Sequence, residues 1–186
     1  MDEDTVFLQM DEKVEKAIDH TIHEFAGVNT GKANPSMVEG IMTEAYGSKM
    51  AIKEMAAITT PDARTIAIQP WDKSVLKNIE KAILASNIGI TPSVMGDIIR
   101  LPMPDLTGER RQELVKVVSK NAEDGRVAVR NARRDAMDAL KKLQKDSGIT
   151  EDDLKRCEKE IQTTTDNSIK KINELLTAKE KDLTTV

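Results

Sequence analysis

Every proline in this chain lies between residues 35 and 104. Proline's ring fixes φ and removes an N–H, and inside a helix it costs about 3 kcal/mol. Pro35, Pro61, Pro70, Pro92, Pro102 and Pro104 therefore divide the 186 residues into three stretches. Long helices cannot cross the middle one, but the two proline-free flanks can hold them.

Both flanks carry helical periodicity. Residues 3–29 repeat Val6, Met10, Val14, Ile18, Ile22 and Phe25 at three- and four-residue spacing, which predicts a helix. It ends at the breaker Asn29-Thr30-Gly31-Lys32-Ala33-Asn34-Pro35. Residues 107–146 predict a longer helix, capped by Thr107 with Glu109 in the first turn. Its seam is Leu114, Val118, Ala122, Gly125, Val129, Ala132, Ala136, Leu140 and Leu143. That spacing is close to a heptad, and at ~1.5 Å per residue the helix spans about 60 Å. The small residues Gly125, Ala132 and Ala136 let a neighbouring helix approach closely. Ser147-Gly148-Ile149-Thr150 is a turn, with Gly148 ending one helix and Thr150 capping the next. Thr150 to Asp153 resembles a capping box. A third helix follows at 151–183, with Leu154, Cys157, Ile161, Ser168, Ile172 and Leu175 on its seam. Three segments with one apolar stripe each predict an antiparallel three-helix bundle.

The middle stretch has short apolar runs suited to strands at 40–46, 50–58, 65–68 and 97–101. One helix is expected at 72–86, with Val75, Leu76, Ile79, Ile83 and Leu84 buried. The expected fold is α+β: a bundle domain of residues 1–30 and 106–186, with a small α/β domain, a β/α/β sandwich, inserted at 34–103. The two crossings, near 31–35 and 102–106, are the hinge candidates. Gly31 and Lys32 stand in one, Pro102 and Pro104 in the other. Only 2% of residues are aromatic, so the cores must be aliphatic.

Within the second long helix lies the pattern with chemical content. Arg126, Arg130, Arg133 and Arg134 occupy residues 126–134 with no carboxylate among them. At about 100° per residue they fall within roughly a third of a turn. Four guanidiniums on one ridge repel one another unless an anion lies along them, and arginine's planar fork fits phosphate. The alternative is a solvated face paired with Glu123 and Asp135. The charge distribution favours the first reading. The chain has a net charge of −4, yet residues 107–149 carry eleven bases against seven acids, while residues 1–30 carry two against eight. One basic helix in an acidic protein predicts a localised anion contact rather than a general nucleic-acid coat.

Other chemistries find little support. Gly31-Lys32 lacks the P-loop glycine at Ala26 and the hydroxyl at Ala33, and a helix precedes it where that loop needs a strand. His20 and His23, with Asp19 and Glu24, have no second ligand cluster, so no metal is expected. Cys157 on a seam reads as packing rather than a nucleophile, and a lone cysteine makes no internal disulfide. The nine methionines read as core filler. Tyr46 and Trp71 stand alone and read as structural, and so few aromatics make no base-stacking platform. No catalytic set and no cofactor motif stands out. No apolar run approaches 18 residues, so no membrane span is expected. Met1-Asp2-Glu3-Asp4 resembles neither a signal nor a transit peptide, and the cytoplasm is the expected compartment.

The motifs together resemble the ribosome recycling factor family over essentially the whole chain. The fullest match is Arg126-Val127-Ala128-Val129-Arg130-Asn131-Ala132-Arg133-Arg134-Asp135-Ala136. Leu106-Thr107-Gly108-Glu109-Arg110-Arg111, Thr30-Gly31-Lys32-Ala33-Asn34-Pro35, Tyr46-Gly47, Ile68-Gln69-Pro70-Trp71-Asp72-Lys73-Ser74 and Ile79-Glu80-Lys81-Ala82-Ile83 match in order. The resemblance implies an L-shaped, monomeric, non-enzymatic factor. It implies that the bundle binds the post-termination ribosome, chiefly large-subunit 23S-type rRNA, with Arg126, Arg130, Arg133 and Arg134 as contacts. It further implies splitting of the subunits with elongation factor G and GTP, and motion of the small domain about the hinge. Asn29 and Lys32 stand where the family usually has arginine, and Met137 where it often has asparagine. A helical scaffold that docks acidic partner helices without RNA is the alternative function. A hydrolase in the insert is disfavoured because no nucleophile–base pair converges there.

Overall fold

The computed structural model describes residues 2–86 and 88–185; residues 1, 87 and 186, which include both outer limits of the expected bundle domain, lie outside the described residues. In chain order the elements are α1 (Glu3–Ala26), α2 (Ser36–Glu39), β1 (Met42–Ala45), β2 (Ser48–Ala51), β3 (Ala56–Asp62), β4 (Thr65–Pro70), α3 (Leu76–Ala85), β5 (Ser93–Met95), β6 (Ile98–Pro102), α4 (Gly108–Lys145) and α5 (Glu151–Thr184). Short 3-10 turns at Ile52–Glu54 and Lys73–Val75 lead into β3 and α3. The residues fall into two compact units. One joins the chain up to Thr30 with the chain from Gly108, and the other is Gly31–Thr107.

The first unit is the bundle. Thr21 of α1 faces Gly125 of α4 and Lys13 pairs with Asp135, so these two helices run antiparallel. Arg111 to Leu183, Arg126 to Asn173 and Arg133 to Gln162 make α4 and α5 antiparallel too. Arg156 on α5 bonds Glu3, which sets α1 and α5 side by side in the same direction. Local chemistry starts and stops each helix. The Asp2 carboxylate accepts the Thr5 N–H at 2.9 Å as the cap of α1. At α5, Thr150 Oγ1 accepts from the Asp153 N–H, while the Asp153 carboxylate accepts from the Thr150 N–H. This reciprocal box uses Asp where Glu is usual.

In the bundle, two details differ from what the sequence predicts. The left-handed residue that ends α4 is Ser147, with φ 58°, not Gly148. Gly148 donates its N–H to Leu143 O at 2.8 Å, the six-to-one bond of a Schellman close. A Cβ at 148 would sit 3.2 Å from that same carbonyl, so glycine serves close approach here. Ile22 is 42% exposed, and Thr21 takes the buried place instead. Thr21 fits because Gly125 leaves room for it and because its Oγ1 donates to Ala17 O at 2.8 Å, which satisfies the buried hydroxyl. Thr165 is buried on α5 by the same device, donating to Ile161 O at 2.8 Å.

The second unit is antiparallel throughout. Strands β3-β4-β6-β5 form one sheet and β1-β2 a hairpin. Ile66 and Ile68 of β4 and Ile99 and Leu101 of β6 alternate inward, the period of two that buries one sheet face. They pack with Val75, Ile79 and Ile83 of α3 in a single core. Thr43 of β1 donates its hydroxyl to Asn78 O at 2.9 Å, tying the hairpin to α3. Leu84 is 56% exposed. It falls about 120° from the buried stripe of α3. The run at 50–58 is not one strand: it ends β2, turns through 52–54 and begins β3. Strand β5 and helix α2 carry no periodic signal and are additions to the expected elements. The hairpin turns on Tyr46 and Gly47, both at positive φ (54° and 78°), the primed turn that suits a two-residue hairpin.

Candidate nucleic-acid interface

The four arginines project from the middle of α4, on the side that flanks α5. Arg126 and Arg133 are half-buried, and Arg130 and Arg134 are exposed. Arg126 Nε donates to Glu123 Oε2 at 2.8 Å and its Nη1 to Asn173 Oδ1 at 2.8 Å. Arg130 Nη1 donates to Glu123 Oε1 at 2.9 Å. Arg133 Nε donates to Gln162 Oε1 at 2.9 Å, and Gln162 Nε2 donates onward to Asp166 Oδ1 at 2.8 Å. Arg134 has no partner among the described residues.

The Glu123 carboxylate thus places one oxygen on each of two guanidiniums. The bond from Arg130, then the bond from Arg126, holds its pKa below the ordinary value of 4.5, so it stays ionised at neutral pH. The pairing alternative is half realised. Glu123 does meet the ridge, while Asp135 points away and accepts from Lys13 of α1. Glu123 lies at the same helical angle as the arginines, and Asp135 lies roughly opposite them.

Three residues of α5 that sequence reasoning did not single out complete the site: Gln162, Asp166 and Asn173. At 100° per residue they fall within about 40° of one another, a polar row beside the seam. That row is visible in the sequence, but its neighbour is not, because the register of α5 against α4 comes from packing. Asp166 and Asn173 also line an open groove of about 640 Å³ along α5.

The crossing residues are placed as follows. Gly31 has φ 78°, and a Cβ there would meet Leu106 at an ordinary 3.5 Å, so its backbone conformation, not space, calls for glycine. Lys32 follows it. Pro102 closes β6 opposite Thr65, and Pro104 lies between β6 and α4. The Ala33 N–H donates to Ala63 O at 2.8 Å and the Met103 N–H to Arg64 O at 2.7 Å. Residues 33 and 103 are therefore fastened to the β3–β4 turn, and Leu106 and Thr107 group with the sheet unit rather than the bundle.

Among the described residues no group of His, Cys, Asp and Glu could hold a metal ion; His20 Nε2 lies 3.8 Å from Glu24. Cys157 is fully buried. Burial, followed by a bond with Glu3, pushes its thiol up to about 11, which leaves almost no thiolate at neutral pH. Tyr46 and Trp71 are exposed rather than packed, and Tyr46 donates its hydroxyl to Asp72 at 2.7 Å. No described helix is long and apolar enough to cross a membrane.

Comparison with known proteins agrees with this architecture. The family model for ribosome recycling factor matches residues 9–184. The ribosome-recycling factor of Trichodesmium erythraeum is 51% identical over 178 residues, covering 96% of this chain and 98% of that protein. That of Oleidesulfovibrio alaskensis is 47% identical over 180 residues, covering 97% and 98%. A solution structure of a ribosome recycling factor superposes with a TM-score of 0.82 at 39% identity, covering 100% of this chain and 99% of that one. A second solved relative comes from models of the T. thermophilus ribosome recycling factor and the E. coli elongation factor G bound to the E. coli post-termination complex. It has a TM-score of 0.69 at 41% identity over 100% of both chains. Matched over nearly its full length in sequence and over its whole length in structure, the chain belongs to the ribosome recycling factor family.

Proposed function

We propose that this chain binds the post-termination ribosome through large-subunit rRNA and, with elongation factor G and GTP, splits it into subunits for a new round of initiation. The observation that carries the reading is the arginine ridge. Four guanidiniums share one face of α4, and three of them are oriented by Glu123, Asn173 and Gln162. Oriented forks suit an array of backbone phosphates, which are anionic, bidentate acceptors. A solved relative is described with elongation factor G on a post-termination complex, which supports the same partners here. The chain itself catalyses nothing in this scheme; GTP is hydrolysed by the partner, and the work done is mechanical.

The hinge belongs to the same proposal. The sheet unit moves relative to the bundle about the crossings that hold Gly31 and Lys32 on one side and Pro102 and Pro104 on the other. Because residues 33 and 103 are bonded to the β3–β4 turn, the bending falls on the bundle side of them, at residues 30–32 and 104–108.

The experiment is a subunit-splitting assay on post-termination ribosomes, with this chain and elongation factor G each omitted in turn. Splitting that needs both supports the proposal. Splitting without the chain, or salt-independent binding to isolated large subunits, rejects it in favour of a protein-docking scaffold.

A further inference from the structure

Glu123 has a place on the ridge that rRNA binding does not explain. Among the described residues it is the carboxylate paired with the ridge, and it occupies Arg126 and Arg130 at 2.8 and 2.9 Å. Its side chain is 48% exposed, so no buried structure depends on it. A carboxylate bridging two guanidiniums offers the acceptor geometry that a phosphate offers. An RNA phosphate arriving at these two arginines meets a site already filled by a tethered anion. We propose that Glu123 is a displaceable counter-ion. It stands in for phosphate on Arg126 and Arg130 in the free chain, yields them to rRNA on binding, and takes them back as the factor leaves. This rests on the RNA-binding reading above.

Several physical consequences follow from the exchange. Glu123 lowers affinity, because each binding event replaces an existing pair rather than making a new one. Being tethered one turn from Arg126, it is always at high local concentration. A phosphate contact that loosens is therefore recaptured by Glu123 before it reforms, which speeds dissociation. A factor that must leave after each round gains from that. The freed carboxylate also gathers solution cations, which cancels part of the counterion release that drives RNA binding. Arg133 and Arg134 do not share this carboxylate. Arg133 is held by the neutral amide of Gln162, which is not a rival anion. The ridge thus has a half paired with a carboxylate, Arg126 and Arg130, and a half without one, Arg133 and Arg134. Asn173 completes the arrangement: it holds Arg126 Nη1 from α5, so Arg126 stays in position when Glu123 lets go.

The test compares wild type, Glu123→Gln and Glu123→Ala for equilibrium binding to, and dissociation from, isolated large subunits across a salt series. The Gln variant keeps an acceptor without charge, and the Ala variant removes the acceptor. Both should bind more tightly, on the order of tenfold, the scale of one charge-assisted contact. The gain should appear mainly as slower dissociation, with the log–log salt slope steeper by about one. Thermal melting should show all three chains equally folded. If both variants bind more weakly, Glu123 only orients the arginines and the proposal is wrong. Unchanged affinity and slope overturn it as well. If wild type itself shows no salt-dependent binding to large subunits, the RNA reading fails before this one is reached.

Discussion

A side chain at residue 125 has nowhere to go. A Cβ there would lie 2.3 Å from Thr21 Oγ1 and 3.3 Å from the Ile172 side chain. Thr21 cannot swing aside freely, because its hydroxyl is committed to Ala17 O. Helix propensity alone says that Gly125→Ala should gain about 1 kcal/mol. Overpacking costs about 1–3 kcal/mol and should win, so Gly125→Ala is expected to melt earlier than wild type. Adding Thr21→Ala removes the clashing atom and should recover most of the loss. Recovery in urea melts of the double variant is the check. The ridge gives the opposite kind of prediction. Arg133→Ala should weaken large-subunit binding roughly ten- to a hundredfold, since a charge-assisted bond contributes about 1.5–3 kcal/mol. It should barely move the melting temperature, because Arg133 flanks the seam. Arg133→Lys keeps the charge but loses the fork and the Nε–Gln162 bond, and should stay weak. If lysine restores full affinity in a filter-binding titration, simple Coulomb attraction is enough and the bidentate reading fails.

Elements differ in how much of themselves they carry. The three long helices are readable because each turn repeats the same local demand: an apolar residue every three or four positions, a capping residue before and a breaker after. The start of α5 shows this at its most local. Thr150→Ala should lower stability near neutral pH by about 1 kcal/mol. The Asp153 carboxylate in that box is held below its ordinary 3.8, first by the Thr150 hydroxyl and then by its N–H. A depressed carboxylate contributes stability above its unfolded pKa and loses it as pH falls through the lower folded value. The gap between wild type and Thr150→Ala should therefore narrow below pH ~4. Chemical denaturation at a series of pH values would show it, and a gap that widens with acid would contradict the assignment. Short strands lack such self-sufficiency. Strand β5 is three exposed residues, Ser93–Met95, and exists because β6 offers it a partner at Val94↔Ile99. No local pattern announces it.

At the scale of the whole molecule there are two cores. One is a seam along three helices, and the other is a sheet face closed by α3. Confinement of proline to residues 35–104 already separates them, because a proline-rich stretch cannot extend either helix. If the proposed motion between the units is part of splitting, a crosslink that fixes the two crossings, at 30–32 and 104–108, should spare large-subunit binding and slow splitting. A crosslinked chain that splits ribosomes at the wild-type rate would show that no hinge motion is required. The charge layout belongs to this scale too. The acidic helix α1 and the basic stretch of α4 lie in the same bundle, and Lys13–Asp135 pairs them across it. The arginines flank α5 instead, where Arg126 and Arg133 are bonded to Asn173 and Gln162 and Arg130 and Arg134 remain exposed.

What the amino-acid order determined by itself is whatever repeats within a few residues: the three helices, the Thr150 cap of α5, the small-residue seam of α4 and the alignment of Arg126, Arg130, Arg133 and Arg134 on one face. Those follow from backbone geometry, which is the same in any protein. Tertiary structure alone decided which residues answer across helices. Thr21 rather than Ile22 went inward because Gly125 stands opposite. Gln162 and Asn173 reached the arginines because packing set the register of α5. Each of these choices depends on a neighbour far away in sequence, and the chain acquires that neighbour only by folding.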